Sequence, residues 1–329
     1  MSLKVVVSTS TNPYINVAVE NYLVDCERNE DVYMYLWKNK RTVVIGQNQN
    51  PYSECNVERL ISDGGFLMRR TTGGGAVYHD DGNLNFSFIA SRSQYDTAKQ
   101  FDVIVGALAQ RGLKTKLSGR NDMLVCDGAG EWRKFSGNAF SKGRNKWLHH
   151  GTLLIKSNMD DLSLYLKVNP SKLHKHGVES VGSRVVNLSE ISDIDSDSIV
   201  ANLVKSFESV YGGEAVALEF GSLSSLDEVV RMENKFSSEQ WLYGKWSQFS
   251  ATHEAQFDWG RVEVSVDVDE QKGIVTDICV ASDALDVMLP TALHDLLVGA
   301  SLTEPPAIDP SHPLRGQLKD VIDLLYLTD

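Results

Sequence analysis

Three consecutive glycines, Gly73-Gly74-Gly75 in the stretch RRTTGGGAVYH at 69–79, restrict what this chain can become more than any other feature. Glycine loses more backbone freedom on folding than any other residue, so an ordered run marks a strained turn or a surface that something approaches closely. The flanking segments GFLMRR and NLNFSFIA are rich in apolar, β-forming residues and read as strands, which makes the run a strand-to-strand loop. That placement excludes two familiar phosphate cradles. The Walker loop and the dinucleotide fingerprint both lead from a strand directly into a helix, and neither pattern is present here. Arg69 and Arg70 before the run and His79 after it predict a concave row of backbone N–H groups with cationic side chains at its rim, as an anion such as phosphate requires.

The rest of the composition limits the partners. A formal net charge of -12 argues against a general binder of nucleic acid or anionic membrane, although a local basic patch is compatible with it. With 329 residues, 42% of them hydrophobic, a large core plus a smaller domain is expected. Cys26, Cys55, Cys126 and Cys279 show no CxxC and no metal spacing, which fits a reducing compartment. MSLKVVVSTSTNP has no apolar h-region and no stretch is long and apolar enough to span a bilayer, so the expectation is a cytoplasmic protein.

Along the chain, TNPYINVAVENYLVDCE predicts an amphipathic helix with Asn12 as N-cap and Pro13 at its first position. DVYMYLWK and RTVVIG read as strands that pair in a hairpin, and TAKQFDVIVGALAQRG as a second helix closed by Gly112. MLVC, WRKFSGNAF and HHGTLLI follow as strands, SDSIVANLVKSFESVYGG as a helix, and RVEVSVDV and IVTDICV as strands before helices near 289–300 and 313–326. Residues 131–150 invert the local sign of charge, with Arg133, Lys134, Lys142, Arg144 and Lys146 against Glu131. Lys134 stands apart from the others, because it adjoins Phe135 and precedes Ser136-Gly137, where a small residue admits a ligand to the strand edge.

These residues carry a family resemblance. NVAVEN (16–21), TVVIGQNQNPYSECN (42–56), RRTTGGGAVYHD (69–80), SGRNDM (118–123), RKFSGNAF (133–140), HHGTLL (149–154) and HGVESVGSRVVNL (176–188) occur in the order seen in lipoate-protein ligases, and the likeness covers essentially the whole length. The resemblance implies an α+β fold, with a biotin/lipoate-protein ligase-like catalytic core of mixed and antiparallel sheets with flanking helices over 1–245 and a small α/β C-terminal accessory domain over 246–329. It also implies ATP and lipoate as substrates with Mg²⁺, lipoyl-AMP as intermediate, and transfer to a lysine of a carrier domain. The carriers expected are the E2 component of 2-oxoacid dehydrogenases and the glycine cleavage H protein, with the ligase a monomer.

Residue by residue, the resemblance makes Lys134 the catalytic group, contacting both phosphate and acyl carbonyl. It assigns Arg70, Gly75, Ala76, Val77, Tyr78, His79, Asn121, Gly137, His149 and Arg184 to the ligand site. Asp122 is a candidate Mg²⁺ ligand or a turn former, and His79 a ligand contact or a loop cap. Val44, Ile45, Gly46 and Val77 suit either a lipoate slot or plain core. The basic, glycine-rich segment 169–188 is expected to cover an adenylate, and its His174 and His176 lack the third ligand that a metal would need. Lys142, Arg144 and Lys146 are expected to form a rim that docks carriers.

Three rival functions share parts of this pattern. An ATP-independent lipoyl or octanoyl transferase needs a cysteine nucleophile after the lysine motif, yet no cysteine lies between Cys126 and Cys279, and Cys126 reads as a structural thiol. A biotin-protein ligase would carry a different glycine signature. A non-catalytic carrier-binding paralogue would have lost Arg70, the glycines or Lys134, all of which are present.

Overall fold

The computed structural model describes residues 1–27, 29–119, 121–167, 185–243, 251–269 and 272–326. The chain forms two compact units, one built from Met1–Val44, Cys55–Met68 and Val77–Leu242, the other from Ile45–Glu54, Arg69–Ala76 and Tyr243–Asp329.

The first unit is centred on an eight-stranded mixed sheet. Across it run Ala215–Leu218 (β11), Leu3–Val7 (β1), Val32–Trp37 (β2), Asn83–Ala90 (β6), Trp147–Leu154 (β10), Trp132–Lys142 (β9), Asp122–Cys126 (β8) and Thr115–Ser118 (β7). β1 is parallel to both of its neighbours, and every other pair is antiparallel. β2 and β6 are buried at every position, so they must be central and covered on both faces.

On one face Met34, Leu36, Phe86 and Phe88 pack with the helices Thr97–Ala109 and Ser196–Tyr211. On the other, Tyr35, Trp37, Ile89 and Leu148 pack with Pro13–Asp25 and Asp227–Phe236. The expected caps are present: the Asn12 side chain accepts the Tyr14 N–H, and Gly212 ends its helix at φ 75°.

The hairpin expected of DVYMYLWK and RTVVIG does not form. β2 lies between β1 and β6, while Thr42–Ile45 (β3) is the middle strand of a separate sheet between Phe66–Arg69 (β4) and Val77–His79 (β5). Local turn chemistry favoured the hairpin, but a strand apolar on both faces gains more by entering the centre of a large sheet. The glycine run is a strand-to-strand loop as expected, joining β4 to the short, unforeseen β5.

In the second unit Ala251–Phe257 (β12), Gly260–Asp269 (β13) and Ile274–Ser282 (β14) form an antiparallel meander. The helices Leu289–Leu297 and Arg315–Tyr326 share its core of Val262, Val264, Leu293, Leu297 and Val321. β12 was not expected, because His253, Glu254 and Gln256 dilute its apolar pattern.

The basic rim expected at 142–146 is divided. Lys142 and Arg144 are exposed, whereas Lys146 is fully buried. Its Nζ donates to Asn29 O at 2.6 Å, Asn29 Oδ1 at 3.1 Å and Asp31 O at 2.9 Å, and lies 5.1 Å from the centre of the Tyr33 ring. Burial lowers its pKa, with nearby carboxylates acting in opposition. Lys146 therefore ties the β9–β10 hairpin to the start of β2 and is unavailable to a partner. Replacing Lys146 by Ala is expected to cost about 3 kcal/mol, since three buried acceptors lose their donor, while Arg144→Ala stays within about 0.5 kcal/mol. Urea unfolding of the two variants measures the difference, and equal midpoints would refute the assignment.

Candidate active site

Lys134 and Asp122 meet on one face of the large sheet, Nζ to Oδ1, at 2.7 Å, with side chains 36% and 35% exposed. The local register explains how. Pairing of β8 with β9 shifts between Met123 and Leu124, so that Asp122 faces Gly137 while Leu124 faces Lys134. The irregularity turns Lys134 and Gly137 to the same side, and a Cβ on Gly137 would sit 3.5 Å from Lys134 Nζ. An ion pair this open to water is worth little by itself, so the lysine is aimed without being locked. Its strand is held from the other side: Val186 N–H donates to Lys134 O at 2.9 Å, and Arg133 Nη2 to Val185 O at 2.7 Å.

The same face continues as a polar floor across the sheet. Gly137 N–H donates to Thr152 Oγ1 at 3.2 Å; Thr152 is opposite Asn85, and Asn85 opposite Trp37. Further along, Glu20 from the first helix is buried, accepts from Ser87 Oγ at 2.5 Å and lies 2.9 Å from His150 Nδ1. Trp37 Nε1 donates to Ser87 Oγ at 3.1 Å. His79 Nδ1 lies 3.2 Å from Asn39 Nδ2, and the ring meets Trp37 edge-on with centroids 5.9 Å apart. Asn39 Oδ1 accepts from Asn16, so its Nδ2 is the donor, and the His79 proton is assigned to Nε2.

Glu20, Ser87, Thr152, Asn83 and Asn85 were not among the expected site residues. A carboxylate inside the apolar stripe NVAVEN and hydrophilic positions alternating through NLNFSF were the available signals.

His149 is placed elsewhere, which corrects its expected ligand contact. It faces the opposite side of the sheet, fully buried among Phe86, Phe88, Phe101 and Phe140. Neighbouring strand residues alternate in direction, so His150 takes the Lys134 side. His149 Nε2 lies 2.9 Å from Asn138 Oδ1, and Nδ1 3.0 Å from Gln100 Oε1. Asn138 Nδ2 donates to Asn121 O at 3.0 Å, which fixes Asn138 Oδ1 as acceptor and the ring proton on Nε2. Nδ1 then needs a donor, and turning the Gln100 amide supplies it from Nε2. Through Asn138, His149 supports Asn121, the residue before Asp122.

The glycine loop belongs to the second unit, and its arginines are not the rim that was expected. Both are buried. Arg69 Nη1 donates to Gln47 O at 2.9 Å and Gln49 O at 2.7 Å. Arg70 donates from Nη2 to Gly73 O at 2.7 Å and Gly75 O at 2.8 Å, and from Nε to Thr72 Oγ1 at 3.0 Å. A carbonyl-rich loop satisfies buried guanidinium groups from within. Gly74 N–H donates to Ala284 O at 3.1 Å, and Gly73 has no room for a Cβ against Ala284 and Leu285. The backbone that approaches these glycines is therefore the chain's own, and Gly74, at φ 92°, adds a conformational requirement.

Of the remaining residues, Tyr78 is buried, its hydroxyl donating to Asp161 Oδ2 at 3.2 Å. Burial, then Asp161, raises its pKa. Val44 and Val77 sit in the core beside the first helix, Ile45 is buried, and Gly46 abuts Gly74 O. Ala76 is half-buried. Arg184, His174 and His176 lie outside the described residues, as does most of the expected covering segment. Among the described residues no cluster of three or more His, Cys, Asp or Glu could hold a metal. Asp122 alone suits Mg²⁺ only in the way Mg²⁺ commonly binds with nucleotides, through one or two carboxylates and the phosphates.

Comparison with known proteins bears on this geometry. The family model of the lipoyl protein ligase A/B catalytic domain matches residues 12–208, and that of the bacterial lipoate protein ligase C-terminus matches 247–306. The chain is 35% identical to the lipoate-protein ligase A of Psychrobacter cryohalolentis, over 99% of this chain and 98% of the relative. It is 39% identical to that of Bdellovibrio bacteriovorus, over 89% and 86%. Among solved structures it resembles P. falciparum LipL1 in complex with lipoate, with a TM-score of 0.85 and 28% identity over 99% of this chain and 100% of that one.

The placement of His149 has a pH signature. Burial, with His150 beside it, holds the ring down at about 3, against an ordinary value of 6.5. The unfolded chain then takes up a proton that the folded chain refuses, so stability is lost as pH falls below about 6.5 and the loss levels off near 3. Between pH 7 and pH 5 this one residue is expected to cost about 2 kcal/mol. In His149→Gln the stability lost over that interval should shrink by that amount in urea melts. An unchanged pH dependence would mean the ring is solvated or protonated in the native state.

Proposed function

The chain belongs to the lipoyl protein ligase A/B family and is a ligase, and from that premise we propose that it activates free lipoate with ATP and attaches it to carrier proteins. In the first step a lipoate carboxylate oxygen attacks the α-phosphorus, the bond to the β-phosphate oxygen breaks and pyrophosphate leaves. In the second, the amine of a carrier lysine attacks the acyl carbon of lipoyl-AMP, the carbon–oxygen bond to phosphate breaks, AMP leaves and the amine gives up a proton. The proposed carriers are E2 lipoyl domains and the glycine cleavage H protein, met by a monomer in a reducing cytoplasm.

The observation that carries this reading is Lys134, projecting from a sheet face of buried polar groups and held, among the described residues, by one partly exposed carboxylate, that of Asp122. Charge develops on phosphoryl and acyl oxygens in both steps, and a fixed ammonium stabilises it without covalent chemistry. Lys134 can leave Asp122 for the phosphate at little cost, and Asp122 is then open to the Mg²⁺ that accompanies the nucleotide, whose charge neutralises phosphate oxygens.

Gly137 gives a ligand access to the strand, and Asn121 and His79 complete the polar contacts. His149 acts as a positioning group through Asn138. Val77 and Tyr78 contribute backbone, since the Tyr78 hydroxyl is engaged by Asp161. In the second unit, Arg70 fixes its own loop by donating to Gly73 O and Gly75 O; the nucleotide roles of Arg70, Gly75, Ala76 and Arg184 are retained from the family pattern alone.

We divide the chain at 245/246 into a catalytic domain and an accessory domain, with both steps performed by one polypeptide; the two family matches, ending at 208 and beginning at 247, support that division. Transfer through a cysteine thioester finds no thiol after Lys134 until Cys279.

The test is pyrophosphate release with ATP, Mg²⁺ and lipoate, followed by mass spectrometry of an added lipoyl domain. The wild type should show both release and the lipoyl mass gain, and Lys134→Ala should lose about 100-fold or more in release while melting like the wild type. Absence of lipoate-dependent release by the wild type would refute the proposal.

A further inference from the structure

Two buried amides on the Lys134 face, Asn83 and Asn85, bond each other and leave one polar atom apiece unmatched among the described residues. Asn83 and Asn85 are two residues apart on β6, so both point to that face, and they are 0% and 1% exposed. Asn83 Nδ2 donates to Asn85 Oδ1 at 2.9 Å. Asn83 Oδ1 and Asn85 Nδ2 then have no partner among the described residues. Turning one amide would set like against like, and turning both reverses the bond, so the pair presents one buried acceptor and one buried donor in either case. Protein interiors rarely leave such groups unmatched.

Their surroundings indicate what matches them. Asn85 is opposite Thr152, Thr152 Oγ1 accepts from Gly137 N–H at 3.2 Å, and a Cβ on Gly137 would lie 3.5 Å from Lys134 Nζ. The unmatched donor is thus joined to Lys134 by one line of neighbours across β6, β10 and β9, in a site from which water is largely excluded, where a neutral N–H is worth most.

We propose that the Asn83–Asn85 pair contacts substrate: the Asn85 amide donates to an oxygen of the reacting carboxylate, the one that becomes the acyl oxygen of the adenylate, and the Asn83 carbonyl accepts from a hydroxyl bound beside it. An amide suits this task because it orients the carboxylate without protonating it, which leaves the other oxygen nucleophilic. The assignment rests on the ligase reading above.

The experiment compares the wild type, the double variant Asn83→Leu/Asn85→Leu and Asn85→Asp in thermal unfolding and in lipoate-dependent pyrophosphate release. Removing both unmatched groups should leave the melting temperature of the double variant equal or higher, while kcat/KM for lipoate falls about 30-fold or more. Asn85→Asp, which keeps the shape but sets an oxygen against the carboxylate, should fall at least as far, through kcat more than KM. Folded variants within about two-fold of the wild type would overturn the proposal and leave the pair holding water only. If the double variant does not melt cooperatively, Asn85→Asp decides by the same criterion. Absence of release by the wild type would instead refute the ligase reading, and with it the role of the pair.

Discussion

Strand β6 has no face that it can turn to water, and the first unit is arranged around that fact. Its eight residues are all buried, with Leu84, Phe86, Phe88 and Ala90 directed into one core. Asn83, Asn85, Ser87 and Ile89 point the other way. A slip of one residue against β2 or β10 would drive the asparagines into the aromatic core and press the phenylalanines against the buried polar groups of the other face, so the register is fixed by a large difference in free energy. That register also sets which side chains of β10 and β2 share the polar face.

The polar face is costly and is held together by mutual satisfaction. Glu20, Ser87, Trp37 and His150 bond one another, and Asn16 links Asn39 with Tyr35. Each group would be expensive to bury alone, and as networks they become rigid. Lys134 is the contrast, since its one acidic partner among the described residues is about a third exposed, and a cation that can change partners is what a charge-developing reaction needs. On the reverse face, His149, Asn138 and Asn121 form a chain of hydrogen bonds that holds the turn before Asp122, so core and site are coupled through the thickness of the sheet.

In the second unit the glycine run has two physical reasons to exist. Gly74 adopts a φ that most residues resist, and Gly73 is pressed against the backbone at 284–285. The arginines beside it serve the loop's carbonyls. A motif that reads as an anion cradle in sequence is, in the fold, first a tightly closed turn, and any nucleotide contact is made by what that turn leaves accessible.

The sequence by itself determined the helices with their caps, the strands of the lysine motif, the loop between strands and the family. These are local periodicities, cap chemistry and short motifs, which act over a few residues and survive without knowledge of the rest of the chain. Tertiary structure alone decided that β2 abandons its neighbour β3, that His150 rather than His149 looks toward Lys134, and that Lys146 is buried while Lys142 is not. It also decided that Glu20 and the asparagines of β6 border the same face as Asp122. The reason is parity and distance: which side of a strand a residue takes depends on pairing partners 50 to 130 positions away, as between His150 and Glu20, and no local pattern encodes them.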